Sequence, residues 1–139
     1  MAVKNAEATW NGNLREGKGR MKLGSGAWEG PFSFNTRFGE EVGANPEELI
    51  GAALAGCFSM FLSAQLTKAG FTADKIHTTA KVHLTDGPTV SLIELNCEAK
   101  VPGVSAEQFA ELVDVSKKGC PISKALAAVP EVKVAAHLV

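Results

Sequence analysis

The sequence lacks the features that mark several large classes of protein. Its 139 residues carry 14 Lys and Arg against 15 Asp and Glu, a formal net charge of −1, with no cluster of basic residues. Binding to nucleic acid through the phosphates needs clustered positive charge. The first residues contain no apolar run of the kind found in a signal peptide. We therefore expect a cytoplasmic protein that does not bind nucleic acid.

Cysteine is scarce, and its spacing fits neither a disulfide framework nor a zinc site. The three cysteines, Cys57, Cys97 and Cys120, form no Cys-x-x-Cys pair and no Cys/His pair at zinc spacing. In a reducing compartment such cysteines are either buried apolar residues or reactive thiols. His77 and His83 share one face of a predicted strand, but no third ligand lies at a plausible spacing. We expect both histidines to be surface residues and predict no metal site.

What is present is the composition of a folded domain. Apolar residues make up 45% and charged residues 21% of the chain, as in globular proteins rather than disordered ones. No internal repeat, low-complexity tract or linker is visible, so a single domain over residues 1–139 is expected. Short strands separated by turns are predicted for residues 1–40. Within them, Phe32, Phe34 and Phe38 are interpreted as alternating along a half-buried strand.

A long uncharged helix is predicted next. Asn45-Pro46-Glu47-Glu48 is a typical helix start, because Asn caps, Pro fits the first helical position and the acids favour the positive end of the dipole. The helix is predicted to run to about Ala69, with Gly70 as its stop. Residues 49–67 carry no charge, which raises the alternative of a membrane span. The small and polar residues within the segment favour the buried central helix of a soluble protein instead.

The rest of the chain predicts a hairpin, two helices and a last strand. Alternation of apolar and polar residues indicates the strands, and a capping-box serine indicates the start of the first helix. Strands, a buried helix, a hairpin, further helices and a final strand together indicate an α+β fold. The predicted elements are strands Lys75–Leu84 and Val90–Val101, a helix from Ser105 to Lys118, a short helix Ile122–Ala128 and a strand Val132–Val139.

Local context separates the three cysteines only in part. Cys57 lies in the middle of the long helix among small and aromatic residues. From this position alone, an inert thiol in the core is the simpler interpretation. Cys120 precedes Pro121 at a helix start, where backbone N–H groups and the helix dipole favour a thiolate. Cys97 shares the apolar face of its strand and is interpreted as structural.

A cysteine that reacts as a thiolate near neutral pH needs a lowered pKa, because the unperturbed pKa of a thiol is about 8.5. Arg37 is the candidate cation, since its guanidinium stays charged when partly buried. Glu47 is placed to pair with Arg37 and fix its orientation. Sequence spacing does not show that these two residues meet Cys57, and the alternative for both is a solvated surface charge.

Three stretches of the chain form a distinctive set. They are Asn35-Thr36-Arg37-Phe38, then Asn45 through Ala53 with Ala55-Gly56-Cys57-Phe58-Ser59-Met60, then Gly119-Cys120-Pro121-Ile122-Ser123. Together they resemble the OsmC/Ohr family, the osmotically inducible protein C and organic hydroperoxide resistance proteins. The resemblance runs in order over most of the chain, is weak in residues 1–30, and is nearer the OsmC branch of the family.

The resemblance implies an OsmC-like fold, with antiparallel sheets packed around a long buried central helix in an intertwined homodimer. It also implies thiol peroxidase activity in stress defence, with Cys57 as the peroxidatic cysteine and Cys120 as the resolving cysteine. Arg37 is implied as the residue that activates the thiolate, and Glu47 as the residue that holds the arginine. The implied partners are a hydroperoxide and an external dithiol reductant, with no cofactor and no membrane.

Two alternatives stay open beside the peroxidase. A protein of this fold can be a ligand-binding or stress-associated scaffold without turnover, because fold does not fix function. The presence of both Cys57 and Cys120 with Arg37 and Glu47 favours the enzyme. A general thiol–disulfide oxidoreductase is disfavoured by the absence of Cys-x-x-Cys and by the wide separation of the two cysteines. Among hydroperoxides, apolar residues such as Phe38, Phe58 and Phe61 favour organic substrates.

Overall fold

The computed structural model describes all 139 residues and confirms the α+β class. The chain forms two compact units, Met1–Leu49 and Ile50–Val139. The prediction of a single domain over the whole chain stays a prediction. The elements are β1 (Ala6–Asn11), β2 (Lys18–Leu23), β3 (Glu29–Phe32), α1 (Phe34–Phe38), α2 (Pro46–Lys68), β4 (Lys75–Thr85), β5 (Thr89–Lys100), α3 (Ala106–Gly119), α4 (Pro121–Ala125) and β6 (Glu131–Leu138).

The first unit is built on a three-stranded antiparallel sheet in the order β1-β2-β3. The rings of Trp10 and Phe32 meet on one face of this sheet with their centroids 5.4 Å apart. Gly19 lies between them, and a side chain at that position would collide with both rings. The glycine in the middle strand therefore lets two aromatic residues from the outer strands pack together.

The segment after β3 is helical, so the strand predicted through Phe34 and Phe38 is wrong beyond Phe32. The cause is a capping box at Ser33. Its hydroxyl accepts a hydrogen bond from the Thr36 backbone N–H at 3.1 Å, and its own N–H donates to Thr36 Oγ1 at 2.8 Å. Phe34 and Phe38 then become neighbours one helical turn apart, with ring centroids 4.9 Å apart.

The long helix α2 begins and ends as predicted. The Asn45 side chain accepts a hydrogen bond from the Glu48 backbone N–H at 2.8 Å, and Gly70 takes a positive φ of 92° just beyond the last turn. One face of α2 is buried; Met60, on another face, is 77% exposed. The predicted burial is therefore confirmed for one face only. The buried residues follow helical spacing and are Gly51, Leu54, Phe58, Leu62 and Leu66.

By length and composition alone, α2 also satisfies the criteria for a helix that crosses a membrane. This is weak support for a span, because the core helix of a soluble protein satisfies the same criteria. The fully buried residues Leu54, Phe58 and Leu62 of α2 belong to the same core cluster as Ile93 and Cys97 of β5. That packing is what a core helix requires.

The second sheet has the order β4-β5-β6, and its last strand departs from the predicted antiparallel arrangement. The hairpin of β4 and β5 is antiparallel, whereas β6 pairs with β5 in parallel. Parallel neighbours need a crossover connection, which α3 and α4 supply here. Helix α3 begins at the predicted cap, where the Ser105 hydroxyl accepts from the Gln108 N–H at 3.2 Å. Helix α4 starts at Pro121 and ends at Ala125, before the predicted Ala128.

Candidate active site

The second unit brings Cys57 and Cys120 into contact. Cys57 is partly exposed on α2, whereas Cys120 is completely buried at the junction of α3 and α4. The side chain of Cys120 lies close enough to Cys57 to act on the pKa of its thiol. Gly119, in the last turn of α3, lets this helix approach α2, because a Cβ at that position would lie 2.9 Å from Phe61 Cζ. Phe61 is one turn beyond Cys57 on α2, so this packing keeps the elements that carry the two sulfurs close together.

The environment of Cys57 acts on its pKa in both directions, with a net rise. Burial raises the pKa most, and the hydrogen bond and charge of Cys120 raise it further. A hydrogen bond from the backbone of Ile122 lowers it. The sequence predicted a lowered pKa for a reactive Cys57, and the second unit alone does not supply the lowering. A nearby cation is one of the features that favour a thiolate.

Backbone groups at the start of α4 act on both sulfurs. Cys120 is the N-cap of this helix, and its Sγ accepts a hydrogen bond from the Ser123 N–H at 3.3 Å. The Ser123 hydroxyl also lies 3.0 Å from the same sulfur. The backbone of Ile122 acts on Cys57 instead, where it lowers the pKa of the thiol. No role in the site was predicted for Ile122 or Ser123 from the sequence, although a donor two or three positions after a helix cap is a recognisable signal.

The first unit brings Arg37 and Glu47 together, a pairing that the family resemblance implied. Arg37 Nη2 donates to Glu47 Oε1 at 2.6 Å, and Arg37 Nε donates to both carboxylate oxygens at 3.1 Å. The Glu47 side chain is only 13% exposed and that of Arg37 is 36% exposed. Such a forked pair fixes the plane of the guanidinium. The capping box of α1 in turn fixes the short helix that carries Arg37.

An apolar cavity of about 260 Å³ lies in the first unit. Phe38 and Arg37 are among the residues that border it. Of the other two aromatic residues taken from the sequence to favour organic substrates, Phe58 cannot line a pocket, because it is completely buried in the core of the second unit. Phe61 packs against Gly119. The other cavity residues come from separate elements and were not predicted from the sequence: Trp10, Leu14, Phe32, Ser33, Phe34 and Pro46.

Cys97, His77 and His83 belong neither to the Cys57–Cys120 pair nor to the Arg37–Glu47 pair. Cys97 is completely buried, as predicted for a structural cysteine, and burial raises the pKa of its thiol. His83 is exposed, and its Nε2 lies 2.7 Å from Glu94 Oε2. This contact holds the pKa of the Glu94 carboxyl below its usual value. His77 is exposed on the same strand face. No three His, Cys, Asp or Glu side chains are grouped so as to hold a metal ion.

Comparison with known proteins places the chain in a family. Residues 39–135 match the family model described as OsmC-like protein. The chain is 46% identical to Peroxiredoxin OsmC of Escherichia coli over 129 residues, which cover 90% of each chain. An organic hydroperoxide resistance protein of Elizabethkingia anophelis has a similar structure, with a TM-score of 0.74, 25% identity and 99% of each chain covered.

The fold is also similar to that of more distant proteins. An OsmC-like protein of Mycoplasma pneumoniae aligns with a TM-score of 0.77 at 18% identity, over 99% of this chain and 98% of its own. The family match spans α2 and the segment that carries Cys120, and thus both elements of the cysteine pair. The chain belongs to the OsmC family.

Proposed function

We propose that this protein is a cysteine-based peroxidase that reduces hydroperoxides, organic ones in preference to hydrogen peroxide, in defence against oxidative or osmotic stress. The observation that carries the proposal is the contact between a partly exposed Cys57 and a completely buried Cys120. A nucleophile open to substrate and a second thiol within its reach are what a two-cysteine peroxidase needs. The 46% identity to a protein named Peroxiredoxin OsmC supports the same activity.

In the proposed cycle the Cys57 thiolate attacks the outer oxygen of the peroxide. The O–O bond breaks, an alcohol leaves, and Cys57 becomes a sulfenic acid. Cys120 then attacks the oxidised sulfur, the S–O bond breaks, water leaves, and a Cys57–Cys120 disulfide forms. An external dithiol returns both cysteines to thiols by exchange and is itself oxidised to a disulfide. The two electrons lost by the dithiol are those gained by the peroxide.

Arg37 is proposed to supply the cation that favours the Cys57 thiolate, with Glu47 holding the guanidinium in place. Two observations support these roles. The groups around Cys57 in the second unit raise its pKa overall, and a nearby cation would oppose that rise. Arg37 is oriented by three hydrogen bonds to one carboxylate, which keeps its charge at a defined position.

The cavity of the first unit supports a preference for organic hydroperoxides. Most of its lining is aromatic or aliphatic, and Arg37 is among the residues that border it. A cavity of about 260 Å³ has room for a short alkyl or aryl group. Initial rates with tert-butyl hydroperoxide and hydrogen peroxide, measured with the same dithiol, test the preference. Equal efficiency with both would remove the role given to the cavity.

A homodimer is part of the proposal, because α2 exposes an apolar surface in the single chain. Met60 is 77% exposed, and its neighbours on that face include Ala53 and Gly56, with no charge among them. Met60→Glu is expected to give a monomer mass by light scattering at micromolar protein, where the unmodified chain gives a dimer. Val115→Glu is the matched control, since Val115 is 46% exposed on α3. A monomeric unmodified chain would refute the dimer.

The decisive test separates the two cysteines. Cys57→Ser is expected to consume no peroxide even in the first turnover, because the nucleophile is gone. Cys120→Ser is expected to consume one equivalent and leave Cys57 as a sulfenic acid open to over-oxidation. Cys97→Ala, the matched control, is expected to retain turnover. Mass spectrometry of the peroxide-treated protein is expected to find a Cys57–Cys120 disulfide.

Two outcomes would contradict these roles. A Cys57–Cys97 linkage, or native first-turnover consumption by Cys57→Ser, would reassign the nucleophile. A scaffold protein of the same fold would leave tert-butyl hydroperoxide unconsumed under every condition, with Cys57 still a free thiol.

A further inference from the structure

Ser123 makes two contacts with the sulfur of Cys120. Its backbone N–H donates to Cys120 Sγ at 3.3 Å, and its hydroxyl lies 3.0 Å from the same atom. Cys120 is completely buried. Water is therefore not available to solvate a negative charge on this sulfur, and the donors must come from the protein.

We propose that Ser123 is a catalytic residue of the second step, in which its hydroxyl and its backbone N–H stabilise the Cys120 thiolate as it attacks oxidised Cys57. This role rests on the proposed function and extends it to a residue outside the Cys57, Cys120, Arg37 and Glu47 group. The hydroxyl suits both states of the sulfur. It accepts a hydrogen bond from the neutral thiol, and after rotation of its O–H bond it donates one to the thiolate.

The step balances without a further reactant. The thiol of Cys120 loses its proton, and its sulfur attacks the sulfur of Cys57 sulfenic acid. An S–S bond forms while the S–O bond breaks, and the departing hydroxide takes up the proton to leave as water. The Cys120 sulfur is oxidised and the Cys57 sulfur is reduced by the same amount. Ser123 is unchanged at the end.

Ser123→Ala is expected to change the rate of disulfide formation in two opposing ways, through the fraction of thiolate and through its nucleophilicity. Loss of a hydrogen bond to a charged group reduces the fraction of thiolate about tenfold below the pH midpoint of the step. The less stabilised thiolate is about threefold more nucleophilic, because nucleophilicity rises with basicity at a Brønsted slope of about 0.4–0.5. Disulfide formation is therefore expected to be about threefold slower at neutral pH. Above the midpoint, where the sulfur is fully ionised, it is expected to be about threefold faster.

The experiment follows disulfide formation in the full-length protein after one equivalent of tert-butyl hydroperoxide. Samples are quenched with acid, alkylated and analysed by mass spectrometry across a range of pH. Ser123→Ala is expected to raise the midpoint of the pH–rate curve by about one pH unit and to cross the native curve. In a parallel sample with excess tert-butyl hydroperoxide, its Cys57 should also form more sulfinic acid at neutral pH, because the sulfenic acid persists longer and a second equivalent of peroxide can oxidise it.

Two variants act as controls. Ser123→Thr retains a hydroxyl and is expected to restore the native midpoint. Ser116→Ala removes another buried hydroxyl, one that donates to the Leu112 carbonyl at 2.7 Å, and is expected to keep the native curve. The position of a midpoint does not depend on how much of the sample is folded, so a loss of stability does not imitate the effect.

The outcomes separate this proposal from the one on which it rests. An unmoved midpoint in Ser123→Ala, with native rates or with equal slowing at every pH, would overturn the role of Ser123 while leaving the peroxidase intact. Failure of the unmodified protein to consume peroxide or form the Cys57–Cys120 disulfide would overturn the proposed function itself.

Discussion

Gly119→Ala tests how closely the segment before Cys120 must approach α2. The added Cβ would lie 2.9 Å from Phe61 Cζ and 3.0 Å from Phe61 Cε1. Ordinary carbon–carbon contacts lie at about 3.5–4.0 Å, so the ring or the helix end must move by roughly half an ångström. Overpacking of this kind costs about 1–3 kcal/mol. Alanine recovers about 1 kcal/mol through its better helix propensity in the last turn of α3.

The net expectation is a loss of about 0–2 kcal/mol in the free energy of unfolding, measured by urea denaturation. For a domain of this size, 1 kcal/mol corresponds to about 3 °C in Tm. Displacement at Gly119 also moves the neighbouring Cys120 away from Cys57. Peroxide consumption in the first turnover should therefore stay native, while disulfide formation slows and over-oxidation of Cys57 increases.

Phe61→Leu provides the matched control, because it removes the ring that the new methyl group meets. In the double variant Phe61→Leu/Gly119→Ala, the added methyl should cost less than it does in the native background, which a double-mutant cycle measures directly. The reasoning would be refuted if Gly119→Ala alone raised stability by the full helix-propensity gain and left disulfide formation unchanged. Tight packing at this contact would then not be what holds the two sulfurs together.

Three further predictions concern other residues of the chain. Arg37→Lys should lose much of the activity and slow alkylation of Cys57 at neutral pH, because lysine keeps the charge but not the fork that Glu47 holds; native kinetics would make Arg37 merely structural. Ser33→Ala should lower stability by about 1 kcal/mol and reduce activity, since the capping box of α1 fixes Arg37; a thermal melt and a peroxide assay check both. Burial raises the pKa of the Cys97 thiol above its value in the unfolded chain. The stability that the neutral thiol contributes is therefore present below the unfolded pKa and is lost as pH rises toward the folded pKa. Cys97→Ala should lessen this loss of stability at alkaline pH, as measured by urea denaturation.

Local signals in the sequence were sufficient for α2 and for the hairpin. The Asn45 cap and the Gly70 stop each act within a few residues, and the strand faces follow from alternation. The helix at Phe34–Phe38 was missed because alternating phenylalanines also fit the spacing of neighbours on a helix. The Ser33 and Thr36 pair was the deciding signal, and it outweighs the apolar pattern over so short a segment.

Non-local features could not be predicted in this way. The alternation in β6 shows a strand but carries no information about its direction, and so the parallel pairing with β5 was missed. Neither periodicity nor spacing showed that Cys57 and Cys120 meet, and their roles were implied only by the family resemblance. The roles of Gly119 and Ser123 depend on packing between segments that are distant along the chain. Such contacts become visible only in the folded structure.

Because Cys57 and Cys120 lie together, the conformational stability of the protein is linked to the reduction potential of this cysteine pair. A disulfide between them closes a loop of about 60 residues, which restricts the unfolded chain and stabilises the fold by about 4 kcal/mol in the loop-entropy description. By reciprocity, folding stabilises the disulfide against reduction by the same free energy, which corresponds to about 90 mV for a two-electron couple. If the proposed disulfide forms, the oxidised protein is expected to be the most heat-resistant form and to be reduced more readily whenever the chain opens locally around Cys120.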